Sequence, residues 1–180
     1  SVTIMDAMVE GAEPVSSTRI RKSLSKGEVT DAASLLGWHF SVAATVIDGD
    51  KRGRELGFPT ANMVLDPSTG LAHGIYAVRF VRADGSVRDG VASYGRRPTF
   101  GDGEPVLETF LFDFSEDIYG ETALVAFYGF IRPEERFALV PSLIARMEED
   151  AKEARALLKS VPPGDLDRRL YERWAADTGA

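Results

Sequence analysis

The chain has 180 residues and a formal net charge of −7. That length fits one domain with an appendage or two small domains, and the charge makes the whole chain a poor electrostatic partner for nucleic acid. It has no cysteine, which excludes disulfides, thiolate nucleophiles and cysteine-bound metals. No apolar run approaches the roughly 18 residues that span a bilayer. The N-terminus also lacks the basic-then-apolar order of a signal peptide, so the expectation is a cytoplasmic enzyme or binding protein.

In chain order, Val2-Thr3-Ile4-Met5 reads as a short strand. Ser16 or Ser17 is placed to cap a helix with Ile20 and Leu24 as apolar contacts. Gly27 predicts a break, and a second short helix carries Val29, Ala32, Ala33, Leu35 and Leu36 before Gly37 stops it. From Trp38 to about Phe130 the pattern is β, with runs at 40–47, 74–82, 87–94, 106–114 and 122–131. Asp84-Gly85 marks a hairpin turn. Five or six short strands without intervening helices predict an antiparallel barrel or sandwich.

After Arg132-Pro133 the chain turns into a long helix. Leu139, Val140, Leu143, Ile144, Met147, Ala151, Ala154, Leu157 and Leu158 form its apolar stripe. Glu148, Glu149, Asp150, Lys152, Glu153 and Arg155 read as its solvated face. Pro162-Pro163-Gly164 ends it, and 165–174 predicts a short terminal helix with Leu166, Leu170, Tyr171 and Trp174.

Two stretches carry chemistry. Residues 49–62 read Gly-Asp-Lys-Arg-Gly-Arg-Glu-Leu-Gly-Phe-Pro-Thr-Ala-Asn. Gly49, Gly53 and Gly57 let backbone N–H groups approach a ligand. Lys51, Arg52 and Arg54 add positive charge, and Thr60 and Asn62 offer hard oxygen ligands. This mixture suits a polyphosphate carrying Mg²⁺, while a plain basic surface loop stays open as the other reading. It is neither a Walker A loop nor a dinucleotide fingerprint. In the second stretch, alternation puts Val106, Glu108, Phe110 and Phe112 on one face. A carboxylate among apolar side chains is a candidate general base. A Glu on an edge strand or in a buried ion pair remains the alternative.

Gly-Arg-x-x-Gly-Phe-Pro-Thr-Ala-Asn resembles the signature of riboflavin kinases, including the kinase module of bacterial bifunctional riboflavin kinase/FMN adenylyltransferases. The likeness extends in order through Gly74-Ile75-Tyr76-Ala77, Val91 to Phe100, Leu107-Glu108-Thr109, Asp117-Ile118-Tyr119-Gly120 and Ile131-Arg132-Pro133-Glu134. Phe110 departs from it, since the family often has His there. Ser-Ser-Thr-x-x-Arg, with Thr18 and Arg21, resembles the last nucleotide-binding motif of the adenylyltransferase module. Neither His39 nor His73 sits in the His-x-Gly-His motif of that module. The resemblance therefore implies residues 1–36 as an adenylyltransferase remnant with linker helices, 37–160 as the kinase barrel plus helix, and 161–180 as a tail.

The same resemblance implies a six-stranded antiparallel Greek-key barrel with a long C-terminal helix and short N-terminal helices. It implies transfer of the γ-phosphoryl group of ATP to the ribityl 5′-hydroxyl of riboflavin, giving FMN and ADP, without FAD synthesis by this chain alone. Glu108 would be the base, and Thr60 and Asn62 would hold Mg²⁺. Gly49, Lys51, Arg54, Gly57, Phe58, Pro59, Thr60, Asp113 and Tyr119 would meet ATP, and Arg132 and Phe137 the flavin. The missing adenylyltransferase module, or self-association, is the implied protein partner. A catalytically silent flavin- or nucleotide-binding barrel is the alternative. A nucleic-acid-binding small barrel is disfavoured by the acidic balance.

Overall fold

Six strands form one antiparallel sheet in the computed structural model, which describes residues 9–10, 13–49, 53, 56–96 and 105–179. A small pair, β1 (Val9–Glu10) and β2 (Glu13–Pro14), stands apart. The main strands are β3 (Ser41–Thr45), β4 (Thr60–Val64), β5 (Gly74–Val81), β6 (Val87–Arg96), β7 (Pro105–Leu111) and β8 (Thr122–Arg132), in the order β3-β8-β5-β6-β7-β4. A bridge from Ile47 to Asn62 joins the continuation of β3 to β4. The two sheet edges thereby meet in a nearly closed barrel, which removes exposed strand edges. The choice between barrel and sandwich is settled in favour of the barrel.

Alternation fills the inside. Met63, Tyr76, Val78, Phe80, Leu107, Val125 and Phe127 point inward and are essentially fully buried. Helices α1 (Ser17–Leu24) and α2 (Val29–Leu36) lend Leu24, Val29 and Ala32 to this core. Ser16 caps α1, its side chain accepting from Arg19 N at 3.3 Å. Gly37 ends α2 at φ +83°.

The outer wall is covered too. Ala154, Leu158 and Tyr171, from α3 (Val140–Ser160) and α4 (Asp165–Thr178), pack on Ala77, Val81, Leu124, Ala126 and Tyr128. The Tyr171 and Tyr128 hydroxyls lie 2.9 Å apart, and Asp167 accepts from His39 N at 2.8 Å. The terminal helix is thus longer than the 165–174 expected and is tied to the barrel.

Two further differences matter for the site. Thr60–Val64 is a strand, so Thr60 and Asn62, at the end of the glycine-rich stretch, belong to the barrel wall and not to a loop. Residues 133–139 are irregular before α3 begins, because Pro141 in the first turn of α3 lacks an N–H and clashes with the carbonyl four residues earlier, so the helix cannot extend further back. The Val2–Met5 expectation falls outside the described residues. Among the described residues no helix is long and apolar enough to cross a membrane.

Candidate active site

The site is built from strand register. Asn62 on β4 lies directly opposite Glu108 on β7, and Thr60 lies opposite Phe110. On the other side of β7, Glu108 faces Ser93 of β6. Cross-strand partners share a face. Since Ala61, Met63 and Leu107 belong to the inner core, Thr60, Asn62, Ser93 and Glu108 all stand on the outer wall.

That wall forms one side of a cleft of about 510 Å³, whose other side is residues 132–150. Phe58, Val91, Phe110, Phe137, Leu143 and Met147 make it largely apolar, and Thr60, Ser93, Glu108, Arg132 and Glu134 supply polar groups. Phe58 meets Phe110 edge-on, ring centroids 5.0 Å apart. A second cavity of about 350 Å³ is lined by Pro59, Thr60, Thr109, Phe114, Asp117 and Tyr119, among others. Thr60 therefore belongs to both cavities.

Asn62 sits 5% exposed. Its Nδ2 donates to Thr60 O at 3.1 Å, which fixes the amide. Its Oδ1 is buried without a hydrogen-bond partner among the described residues, an arrangement that costs stability unless a ligand supplies the partner. The Thr109 hydroxyl, between Ala61 and Ala92 in register, is likewise unpartnered among them. Gly49 lies against the same amide: a Cβ there would come within 2.4 Å of Asn62 Nδ2. The first glycine of the sequence motif thus makes room for the asparagine that ends it.

Arg132, at the end of β8, is 7% exposed. Its Nε and Nη2 donate to the two carboxylate oxygens of Asp150 at 2.8 and 2.6 Å, and its Nη1 donates to Pro133 O at 2.9 Å. The guanidinium carbon lies 5.9 Å from the Phe137 ring centre. Asp150 corrects the sequence reading: it is 3% exposed, not solvated. Its place three residues after Met147 and four before Ala154 puts it on the apolar stripe, a signal that was there to be read.

Of the residues singled out from sequence, Phe58, Thr60, Glu108, Arg132 and Phe137 line the first cleft, and Pro59, Thr60 and Tyr119 line the second. Asn62 and Gly49 line neither cavity, and Gly57 precedes Phe58 at φ +86°. Lys51 and Arg54 lie outside the described residues. Asp113 is not brought to either cavity. β7 ends at Leu111, and Asp113 turns at φ +54° to meet Arg155 of α3 at 2.8 and 3.1 Å. That guanidinium holds the Asp113 carboxyl below the usual carboxylate range.

The barrel wall thus carries two cavities that share one threonine, with Glu108, Glu134, Glu135 and Asp150 lining the first. Comparison with known proteins assigns the family. Residues 36–158 match the flavokinase family model, described as riboflavin kinase, and the chain belongs to the riboflavin kinase family. It is 42% identical, over 162 residues, to the bifunctional riboflavin kinase/FMN adenylyltransferase of Listeria monocytogenes, covering 89% of this chain and 51% of that one. A solved Streptococcus pneumoniae chain described as a macrolide-efflux protein superposes with a TM-score of 0.76 at 35% identity, covering 83% of this chain and 49% of that one. Riboflavin kinase from Trypanosoma brucei shares the fold, with a TM-score of 0.56 at 23% identity, covering 75% of this chain and 90% of that one. The chain spans about half the length of the curated relatives it matches.

Proposed function

We propose that the chain phosphorylates riboflavin: the γ-phosphoryl group of ATP passes to the ribityl 5′-hydroxyl, giving FMN and ADP. The observation that carries this is the register of β4, β7 and β6, which sets Glu108 opposite Asn62 and on the wall of an apolar cleft that shares Thr60 with a second cavity. The apolar cleft suits the flat flavin ring, and the second cavity suits the nucleotide. Glu108 accepts the hydroxyl proton as the oxygen attacks. A carboxylate in that role contributes roughly 10²–10⁴-fold.

Thr60 and Asn62 fit a divalent cation. An amide oxygen buried without a hydrogen-bond partner among the described residues and a neighbouring hydroxyl are the hard donors Mg²⁺ takes together with substrate phosphates. When bound, the cation neutralises phosphate charge. Among the described residues there is no cluster of three or more acidic or histidine side chains that would hold a metal without substrate. Gly49, Gly57 and Pro59 shape the approach to the phosphates, and Tyr119 borders the nucleotide cavity. Lys51 and Arg54 add charge to the phosphate loop. Phe137 walls the flavin and Arg132 offers it donors. Asp113 has no part in this scheme.

We place the reaction in the cytoplasm, in the supply of FMN and FAD to flavoproteins. Residues 1–36 connect to an adenylyltransferase module or contact one in another molecule, and this chain alone makes no FAD. Incubating the purified chain with riboflavin, Mg²⁺ and ATP and separating the flavins tests the proposal. FMN without FAD is the expected product. Binding of both substrates without FMN would leave a silent flavin-binding barrel.

A further inference from the structure

The cleft holds one buried ion pair that phosphoryl transfer does not call for. Arg132 joins the barrel's last strand to α3 through Asp150, with both partners lining the cleft. Buried pairs of this kind contribute little net stability, and apolar residues of similar volume often serve as well. Their value here is geometric. An arginine carries five N–H donors in a rigid plane. Among the described residues Asp150 and Pro133 O accept from three of them, leaving two in a side chain that lines the cleft. The plane itself is fixed, because both Asp150 oxygens grip it from one edge.

Asp150 is steadied in turn. Arg146, one helical turn earlier, places Nε 3.5 Å from Asp150 Oδ1, and it reaches Glu135 at 3.9 Å. Glu135 also lies 3.8 Å from Arg132 Nη1. The irregular 133–139 segment is therefore held at its start by Arg132 and at Glu135 by Arg146 of α3.

We infer that Asp150 is a positioning residue for flavin binding: it aims the two unused Arg132 donors at the carbonyl and ring-nitrogen acceptors of a bound isoalloxazine. A flavin ring is rich in acceptors along its pyrimidinedione edge, and a planar donor fork held by a second carboxylate matches that edge. The inference rests on the riboflavin reading given above.

Three variants test it by riboflavin fluorescence titration and by separate KM values for riboflavin and ATP. Asp150→Asn keeps the shape but loosens the grip, and raises the riboflavin Kd and KM at least about tenfold, the loss of one well-placed charge-assisted bond. The ATP KM stays within about twofold, and Asp150→Glu recovers most of the riboflavin affinity. Should Asp150→Asn fail to fold, the double replacement Arg132→Met with Asp150→Leu removes the buried charges together and shows the same riboflavin-specific loss. A folded variant that binds riboflavin like wild type, or one that loses riboflavin and ATP affinity equally, overturns the inference. Failure of the kinase reading is distinguishable: there the wild type binds riboflavin but forms no FMN, while the Asp150 effect on binding persists.

Discussion

Two polar clusters lie on the outer wall of the barrel, and they differ in one respect. Where α4 docks, the charged groups are matched, and only the Trp174 indole N–H of that helix is buried without a partner among the described residues. Asp167 takes His39 N and Nδ1 and Gly164 N. Arg79 donates to Asp89, Val161 O and Leu158 O and lies 4.2 Å over the Tyr128 ring. Burial keeps the Tyr128 and Tyr171 phenols raised and neutral. On the wall of β4 and β7, by contrast, Asn62 keeps a buried oxygen without a partner among the described residues. Folding tolerates such a group poorly. A matched cluster holds a helix in place, and an unmatched one beside a cleft marks where a ligand completes the hydrogen bonding.

Substitutions should separate the two regions. The largest effect belongs to Glu108→Gln, which lowers kcat about 10²–10⁴-fold with flavin affinity nearly intact; steady-state FMN formation reads it. Next, Asn62→Ala or Thr60→Ala weakens Mg-nucleotide binding roughly tenfold, measured by calorimetric titration of MgADP. Unchanged metal dependence in both would remove these residues from that role. At the matched cluster, Asp167→Ala strands buried donors and costs about 2 kcal/mol of stability, read by denaturant unfolding, while KM values of the folded protein hold. Phe110→His changes the polarity beside Glu108 and shifts kcat only severalfold. The smallest effect is Asp113→Ala: an exposed ion pair with Arg155 is lost, and the ATP KM does not move.

Much of this was legible in the sequence because period and turn chemistry agreed. The β runs, the Asp84-Gly85 turn and the α3 stripe each follow from side-chain spacing. Glu108 stood out as a charge among alternating apolar residues, and it lies where that pattern put it, half-buried on the cleft wall. β4 was hidden because Pro59, Thr60 and Asn62 read as turn residues; pairing with β7, a tertiary effect, makes them a strand. Asp150 was masked by its charged neighbours on the same helix. Asp113 was drawn into the site by motif order, but the strand stops two residues earlier and the chain turns away. The Arg132–Asp150 pair was unreadable because its partners lie on separate elements.

The central claim is that Glu108 acts on the chemical step and not on binding. Single-turnover quench of wild type and Glu108→Gln, both saturated with riboflavin and Mg-ATP, tests it. The account predicts equal fluorescence changes on flavin binding and FMN formation at least about 100-fold slower in the variant. Equal rates of FMN formation in the two proteins would contradict it.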